Sequence, residues 1–239
     1  MAASPSPLDN RLLAALADDD SNRWLDGLAY QELPLGKVLY ESGDAQTQVY
    51  FPTTAIVSLL YVMADGASAE IAVIGNEGIV GISLLTGGES TPSRAVVQSA
   101  GHGFRLSAQA IKEAFKRPAV HALLLRYTQA LITQMAQTAV CNRHHTLDQQ
   151  LCRWLLLSLD RLQGTNLQMT QELIANMLGV RRAGVSDAAL KLQRSGLIKY
   201  SRGRITVINR AGLEERTCEC YMVVKREYDR LLEDWKESP

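Results

Sequence analysis

The chain has 239 residues, 46% hydrophobic and 21% charged, with 25 basic and 25 acidic side chains. Such fractions belong to ordinary globular proteins, and no apolar run approaches the ~20 residues of a membrane helix, so no membrane partner is expected. Residues Met1 to Asp20 lack the basic segment and apolar run of an export signal and end in Asp18-Asp19-Asp20. The four cysteines, Cys141, Cys152, Cys218 and Cys220, make no disulfide framework, and both features predict a cytoplasmic location.

From about Leu33 to Leu106 short β-rich runs alternate with turn signals. The predicted strands are Val38 to Tyr40, Val49 to Phe51, Ile56 to Val62, Ala69 to Ile74, Arg94 to Gln98 and Phe104 to Leu106. Ser42-Gly43-Asp44, Ala64-Asp65-Gly66, Gly75-Asn76-Glu77-Gly78 and Thr86-Gly87-Gly88 separate them. Many short strands at this spacing predict a sandwich or jelly roll.

After Pro118 the texture changes to one long helix, Ala119 to about His145, free of Gly and Pro. Val120, Leu124, Tyr127, Leu131, Met135, Thr138 and Cys141 step by three or four residues and form a stripe that suggests a coiled-coil-like contact between two copies, the alternative being a helix that lies wholly on its own domain. Leu124, Tyr127, Leu131, Met135 and Thr138 are the expected dimerisation residues. A polar break at Asn142 to Thr146 precedes a second apolar helix, Leu147 to Leu162, which stops at Gly164.

Met169 to Ile198 reads helix, tight turn, helix. Thr170 caps a first helix burying Leu173, Ile174, Met177 and Leu178; Gly179 turns the chain; the second helix, residues 181–194, buries Val185, Ala189 and Leu192 and stops at Ser195-Gly196. The small residues Ala175, Ala183, Gly184, Ala188 and Ala189 let two helices approach at a steep angle. Leu190 falls on the outer side by spacing, where helix packing gives it no role. Strands Leu197 to Tyr200 and Ile205 to Ile208, joined by Ser201-Arg202-Gly203-Arg204, make a basic hairpin wing.

Charge follows the same division. Residues 1–118 carry 8 Lys and Arg against 13 Asp and Glu, residues 119–239 carry 17 against 12, and the excess concentrates between Asn166 and Arg216, with 9 against 4. A helix in the major groove with flanking cations on phosphates accounts for both the pattern and the charge. The predicted DNA-facing residues are Thr170, Arg181, Arg182, Ala183, Ser186, Asp187, Lys191, Arg202 and Arg204.

A β-roll, a long helix and a winged helix-turn-helix in this order resemble the Crp/Fnr transcription regulators over almost the whole length. The resemblance implies an α+β fold with three parts: a cyclic-nucleotide-binding-like sensor at 1–118, a dimerisation helix and hinge at 119–146, and a DNA-binding domain with a helical extension at 147–239. It further implies a homodimer on a palindromic site in double-stranded DNA, allosteric control by the sensor, RNA polymerase as a partner, and no enzymatic activity. Arg182, in Gly179-Val180-Arg181-Arg182-Ala183-Gly184-Val185, falls on the family's base-contacting arginine; Ala183 and Asp187 replace the family's glutamate and a further arginine, so the usual operator is not implied.

The family's phosphate cassette corresponds to Glu77 through Ser83 followed by Ser93-Arg94-Ala95, which makes Gly81, Ile82, Ser83, Ser93, Arg94 and Ala95 the effector-pocket candidates. Ile82 stands at the ribose-binding acid and Ser93-Arg94 reverses the usual order, so ordinary cyclic AMP binding is not expected, while Arg94 leaves room for a small anionic effector. No cysteine precedes Cys141, which excludes the sensor iron–sulfur cluster of the oxygen-responsive branch. His144 and His145 with Cys141, or Cys218-Glu219-Cys220, read as metal ligands or as core residues; neither set alone has the spacing of a closed zinc site, and no metal is assigned. Two rival classes remain. A jelly-roll enzyme needs several imidazoles in the roll, where His102 stands alone between Leu33 and Leu106. A protein-docking module would use the stripe Leu213, Thr217, Cys220, Val224, Tyr228, Leu231 and Trp235.

Overall fold

Alternating apolar residues and turn glycines fold the first part of the chain into two facing antiparallel sheets. The computed structural model describes residues 4–16, 23–162 and 164–233; Asp18-Asp19-Asp20 and Trp235 lie outside them. A short helix α1 (Arg11–Leu16) precedes strands β1 (Ala29–Leu33), β2 (Val38–Tyr40), β3 (Gln48–Pro52), β4 (Ile56–Val62), β5 (Ser68–Ile74), β6 (Arg94–Ser99) and β7 (Gly101–Ser107). The sheets run β1-β7-β3 and β2-β6-β4-β5. Between them Leu33, Phe51, Ile56, Ile74, Ile79 and Leu106 are sealed from solvent. All six predicted strands are present. β1 went unpredicted because only Leu33 of its five residues is buried, which leaves no alternation to read.

Helices α2 (Ala108–Ala114), α3 (Pro118–His144) and α4 (Leu147–Leu159) follow. Pro118 opens α3, where its missing N–H is harmless, and Thr146 and Gln149 form a reciprocal capping box at the start of α4. From Gln150 to Leu159 every side chain of α4 is buried. Such a helix is central, and α6 (Arg182–Arg194), α7 (Arg210–Arg216) and α8 (Cys220–Tyr228) all pack on it. The remaining elements are β8 (Asn166–Gln168), α5 (Gln171–Leu178), β9 (Ile198–Ser201) and β10 (Arg204–Val207); α8 runs on into a single π-helical turn, Asp229–Glu233. The wing is a three-stranded sheet, β8-β10-β9, one strand more than the sequence suggested. Among the described residues no helix is long and apolar enough to cross a membrane.

Two expectations are corrected. The stripe assigned to dimerisation faces inward: Leu124, Tyr127, Leu131 and Thr138 are buried and Met135 is partly buried within the same chain, since β5 and α8 pack on α3. The C-terminal stripe is likewise used internally. Leu213, Cys220, Val224, Tyr228 and Leu231 are buried, which removes the apolar face that a protein-docking tail requires.

The face of α3 left open carries Ala122, Leu125, Gln129, Ile132, Ala136 and Ala139, all exposed, with Leu125 at 48% and Ile132 at 53%. Their steps of three and four residues repeat every seven, the period of a two-helix seam.

Candidate nucleic-acid interface and its coupling to the sensor

Helix α5 begins at Thr170, whose hydroxyl accepts from Leu173 N at 3.2 Å, and ends at Gly179, held at φ 65°. A left-handed residue there lets the chain reverse into α6 without steric penalty. Helix α6 buries Val185, Ala188, Ala189 and Leu192, which leaves Arg182, Ala183, Asp187, Leu190 and Gln193 on the outer face, with Arg181 exposed at its N-cap. Gly184 serves a contact the sequence did not suggest: a Cβ there would lie 2.9 Å from Leu147 Cδ2, so it sets the approach of α6 to α4. Ala183 is exposed and takes no part in helix packing.

Between α6 and the wing lies a cleft of about 700 Å³ lined by Thr170, Arg182, Ser186, Leu190, Tyr200 and Arg202, among others. Ser186 donates to Gln171 Oε1 at 2.6 Å and Tyr200 donates to Met169 O at 2.9 Å, so both walls are fixed by hydrogen bonds. Burial raises the Tyr200 phenol, against the pull of the neighbouring Arg182 charge. Arg202, at φ 50°, and Gly203 form the two-residue wing tip, and Arg204 follows on β10, exposed. The nine predicted DNA-facing residues thus have side chains on the outer surface of the motif, its cleft or the wing, and among them the exposed Lys191 has its ammonium 3.4 Å from Asp148 at the start of α4.

The effector candidates come together in the roll, and both serine hydroxyls among them are already paired. Gly81, at φ 101°, leads into the turn Ile82–Leu84; Ser83 donates to Gln46 Oε1 at 2.6 Å; Ser93 pairs with Thr91 at 3.1 Å; Ala95 is fully buried. Arg94 points to Glu41, with Nε and carboxylate 3.1 Å apart. Gln46 Nε2 and Arg94 Nε are both buried without a hydrogen-bond acceptor, so they are the polar atoms here that a ligand would satisfy.

Sensor and DNA-binding unit meet along a buried seam. Arg161, just beyond α4, donates through Nε to Glu77 at 2.7 Å, through Nη1 to Leu157 O at 2.7 Å and through Nη2 to Gln134 Oε1 of α3 at 3.2 Å, with its guanidinium over the Tyr228 ring. The loop Gly75-Asn76-Glu77-Gly78, read as a plain turn, is therefore a junction. Added Cβ atoms would lie 2.7 Å from Arg161 at Gly75 and 2.5 Å from the Tyr127 hydroxyl at Gly78, so both glycines serve close approach. On the other side Gly179 of the helix-turn-helix sits against Ala69, and α5 packs on β5.

A second polar chain crosses this seam. The Ser58 hydroxyl lies 2.5 Å from Glu70 Oε2 and 2.6 Å from Gln98 Oε1, and Gln98 Nε2 donates to Ser158 Oγ of α4 at 3.2 Å. One hydroxyl has one proton, so both short contacts are satisfied when Glu70 is protonated and donates to Ser58. Burial pushes the Glu70 carboxyl up to about 7, against the opposing pulls of Ser58 and Arg153. A carboxyl raised by folding stabilises fully below its ordinary value of 4.5, and the effect is lost as pH rises through about 7. Stability should fall by on the order of 3 kcal/mol across that window, and Glu70→Gln should flatten the profile. Denaturant midpoints at a series of pH values check this; an unchanged slope in the variant refutes it.

Four further side chains converge at the corner between α3 and α4. Cys141, His145, Cys218 and Cys220 place one potential ligand atom each within 4.8 Å of one another, the one such group of histidine, cysteine and carboxylate residues found among the described residues. The sequence offered them as two unrelated sets; the fold makes them one. Hydrogen bonding from the Cys141 thiol lowers Cys218 and raises Cys141, because the donor must keep its proton.

Comparison with known proteins agrees with this geometry. Residues 30–117 match the family described as cyclic nucleotide-binding domain and residues 149–216 the family described as Crp-like helix-turn-helix domain, together about two thirds of the chain. The global nitrogen regulator of Synechococcus elongatus is 25% identical over 200 residues, covering 79% of this chain and 90% of that protein. The fold is shared with FixK2 from Bradyrhizobium japonicum (TM-score 0.67, 18% identity, 80% of this chain and 98% of that one). TTHB099, a CRP-family transcriptional regulator from Thermus thermophilus, gives a TM-score of 0.63 at 20% identity, covering 78% and 95%. Fold, interface and matches define a DNA-binding transcription regulator with a cyclic-nucleotide-binding-type sensor domain. The chain belongs to the Crp/Fnr family.

Proposed function

We propose that the protein works as a homodimer that reads a two-fold symmetric operator through helix 181–194, under allosteric control of the β-roll and without catalysing a reaction. The observation that carries this reading is the outer face of α6, where exposed Arg182, Ala183, Asp187 and Leu190 adjoin the basic wing. An arginine fork suits a guanine edge, a carboxylate accepts from cytosine N4, and exposed apolar side chains suit thymine methyls. Arg202 and Arg204 supply phosphate contacts, as does Arg181; Thr170 and Ser186 line the same surface. Lys191 joins them once released from Asp148. Two such helices meet successive major grooves about 34 Å apart when α3 pairs with α3 of a second copy.

The seam through Glu77, Arg161, Gln134 and Gly179 supports control, because a ligand that shifts the roll must also shift α4 and the helix-turn-helix turn. Ordinary cyclic AMP recognition is not part of this reading: Ile82 offers no acceptor for a ribose hydroxyl and Arg94 is held by Glu41. A small anionic effector would draw Arg94 from Glu41 and satisfy Gln46. Four free, buried cysteines fit a reducing cytoplasm, where double-stranded DNA and RNA polymerase are the partners of this class.

Selection of operator sites from genomic fragments, followed by titration at two salt concentrations, tests the reading. Wild type should recover a symmetric sequence, and Arg182→Ala should lose ~1–3 kcal/mol with relaxed preference at one base position. Arg204→Ala should instead weaken all sequences alike and lower the salt slope by about 1. Recovery of no symmetric site, or full affinity in Arg182→Ala, would overturn the assignment.

A further inference from the structure

Cys141 and His145 stand one helical turn apart at the end of α3, whereas Cys218 and Cys220 flank Glu219 where the chain passes from α7 into α8. Cys141 Sγ and Cys218 Sγ are 3.5 Å apart, and Cys220 Sγ lies 3.6 Å from His145 Nδ1. With metal–sulfur bonds of about 2.3 Å and metal–nitrogen bonds of about 2.0 Å, the edges of a tetrahedron come to about 3.7 Å between sulfurs and about 3.5 Å between sulfur and nitrogen. The side chains therefore already stand near the spacing one ion requires. We propose that Cys141, His145, Cys218 and Cys220 form a closed tetrahedral site for a single thiophilic divalent cation of the zinc type, which pins the C-terminal arm to the corner between α3 and α4.

Three observations separate this site from a packed group of thiols. The first is the histidine: Nδ1 faces Cys220 while Nε2 lies 3.3 Å from the Glu219 carboxylate, an arrangement that favours a proton on Nε2 and lets the Nδ1 lone pair turn toward the sulfurs. Apolar packing has no use for that orientation. Next comes charge: three thiolates and a neutral imidazole leave a divalent ion with a net −1, and buried Arg153, whose charge acts on Cys141 and Cys220, balances it. Last is the frame. Gln150 Nε2 donates to His145 O at 2.9 Å and Cys141 O at 3.4 Å, and Arg153 Nη1 donates to Thr138 Oγ1 at 3.2 Å, so the end of α3 is held before any ion arrives. A multinuclear cluster adds metal–metal separation to the ligand span, and four protein ligands leave no open position for substrate, so the site is mononuclear and structural. Metal uptake releases the remaining thiol protons to solvent.

The full-length chain, reduced and stripped with a chelator, is titrated with Co²⁺ as the probe. One equivalent should bind per chain, with the visible bands of tetrahedral cobalt and a thiolate charge-transfer band, and Zn²⁺ should displace it. Cys218→Ser and His145→Ala should lose the tetrahedral spectrum, and Glu219→Gln should weaken binding about 10- to 100-fold. Cys152→Ser, a buried thiol outside the group, should bind as wild type does. Absence of tetrahedral cobalt, or an unchanged titration in Cys218→Ser, overturns the site. If Cys218→Ser does not fold, His145→Ala carries the same test, because that side chain is 16% exposed.

Discussion

A protein carrying Leu125→Glu and Ile132→Glu is expected to sediment as a folded monomer and to bind its operator at least about 100-fold more weakly than wild type. The expectation rests on the two faces of α3. One, with Leu124, Tyr127, Leu131 and Thr138, is covered by the chain's own β5 and α8. The other shows Leu125 and Ile132 to solvent between Ala122, Gln129, Ala136 and Ala139, at seven-residue spacing, with alanines small enough for two helices to approach closely. Two glutamates per helix place four carboxylates in the seam, and like charges desolvated there block association. The chain's own core is untouched, so the fold should persist. Linking two half-site readers raises avidity by roughly 10²–10⁴, which sets the scale of the loss. Leu124→Ala is the contrasting control: it should cost about 2–5 kcal/mol of folding stability while leaving the dimer seam intact. Sedimentation and operator titration decide; a dimeric double-glutamate protein would show that α3 is not the seam.

Arg161→Met should be among the most damaging single changes in the chain, at about 3–5 kcal/mol by denaturant midpoint. Its guanidinium is 5% exposed and holds Glu77, itself 7% exposed, together with Gln134 and the Leu157 carbonyl. Removing it leaves the Glu77 carboxylate buried and accepting from the Gly75 amide without a countercharge, and a buried charge that loses its partner bears most of the desolvation cost. The double variant Glu77→Leu/Arg161→Met removes both charges and should recover most of the loss. Since the pair joins the sensor to the end of α4, its recovered stability should come with altered control: operator affinity in the double variant should no longer respond to changes in the β-roll. Equal losses in the single and double variants would show that the pair contributes by packing alone.

Much of this architecture was legible because it depends on local periodicity. Period-two runs between glycine turns gave the strands of the roll, the Gly-free and Pro-free stretch gave α3, and Thr170, Gly179 and Gly196 bracketed the two helices of the DNA-reading motif. β1 and β8 escaped because each buries a single side chain, Leu33 and Leu167, and one buried residue has no period. The outer face of α6 was readable for the complementary reason: once Val185, Ala189 and Leu192 are assigned to the core, helical geometry sends Arg182 and Asp187 outward.

What the sequence alone determined, then, was the order of the elements, the position of the recognition helix and the concentration of positive charge around it. Which stripe of α3 is left open to solvent was decided only by tertiary structure, since both stripes are apolar at helical spacing and the choice depends on β5 and α8 reaching α3 from distant parts of the chain. The same holds for the Glu77–Arg161 pair, whose partners are 84 residues apart, and for Cys141 and Cys218, separated by 77. A side chain's neighbours within one helix are fixed by a rise of about 1.5 Å per residue. Neighbours across the core are fixed only when whole elements pack, and no local pattern in the chain encodes that distance.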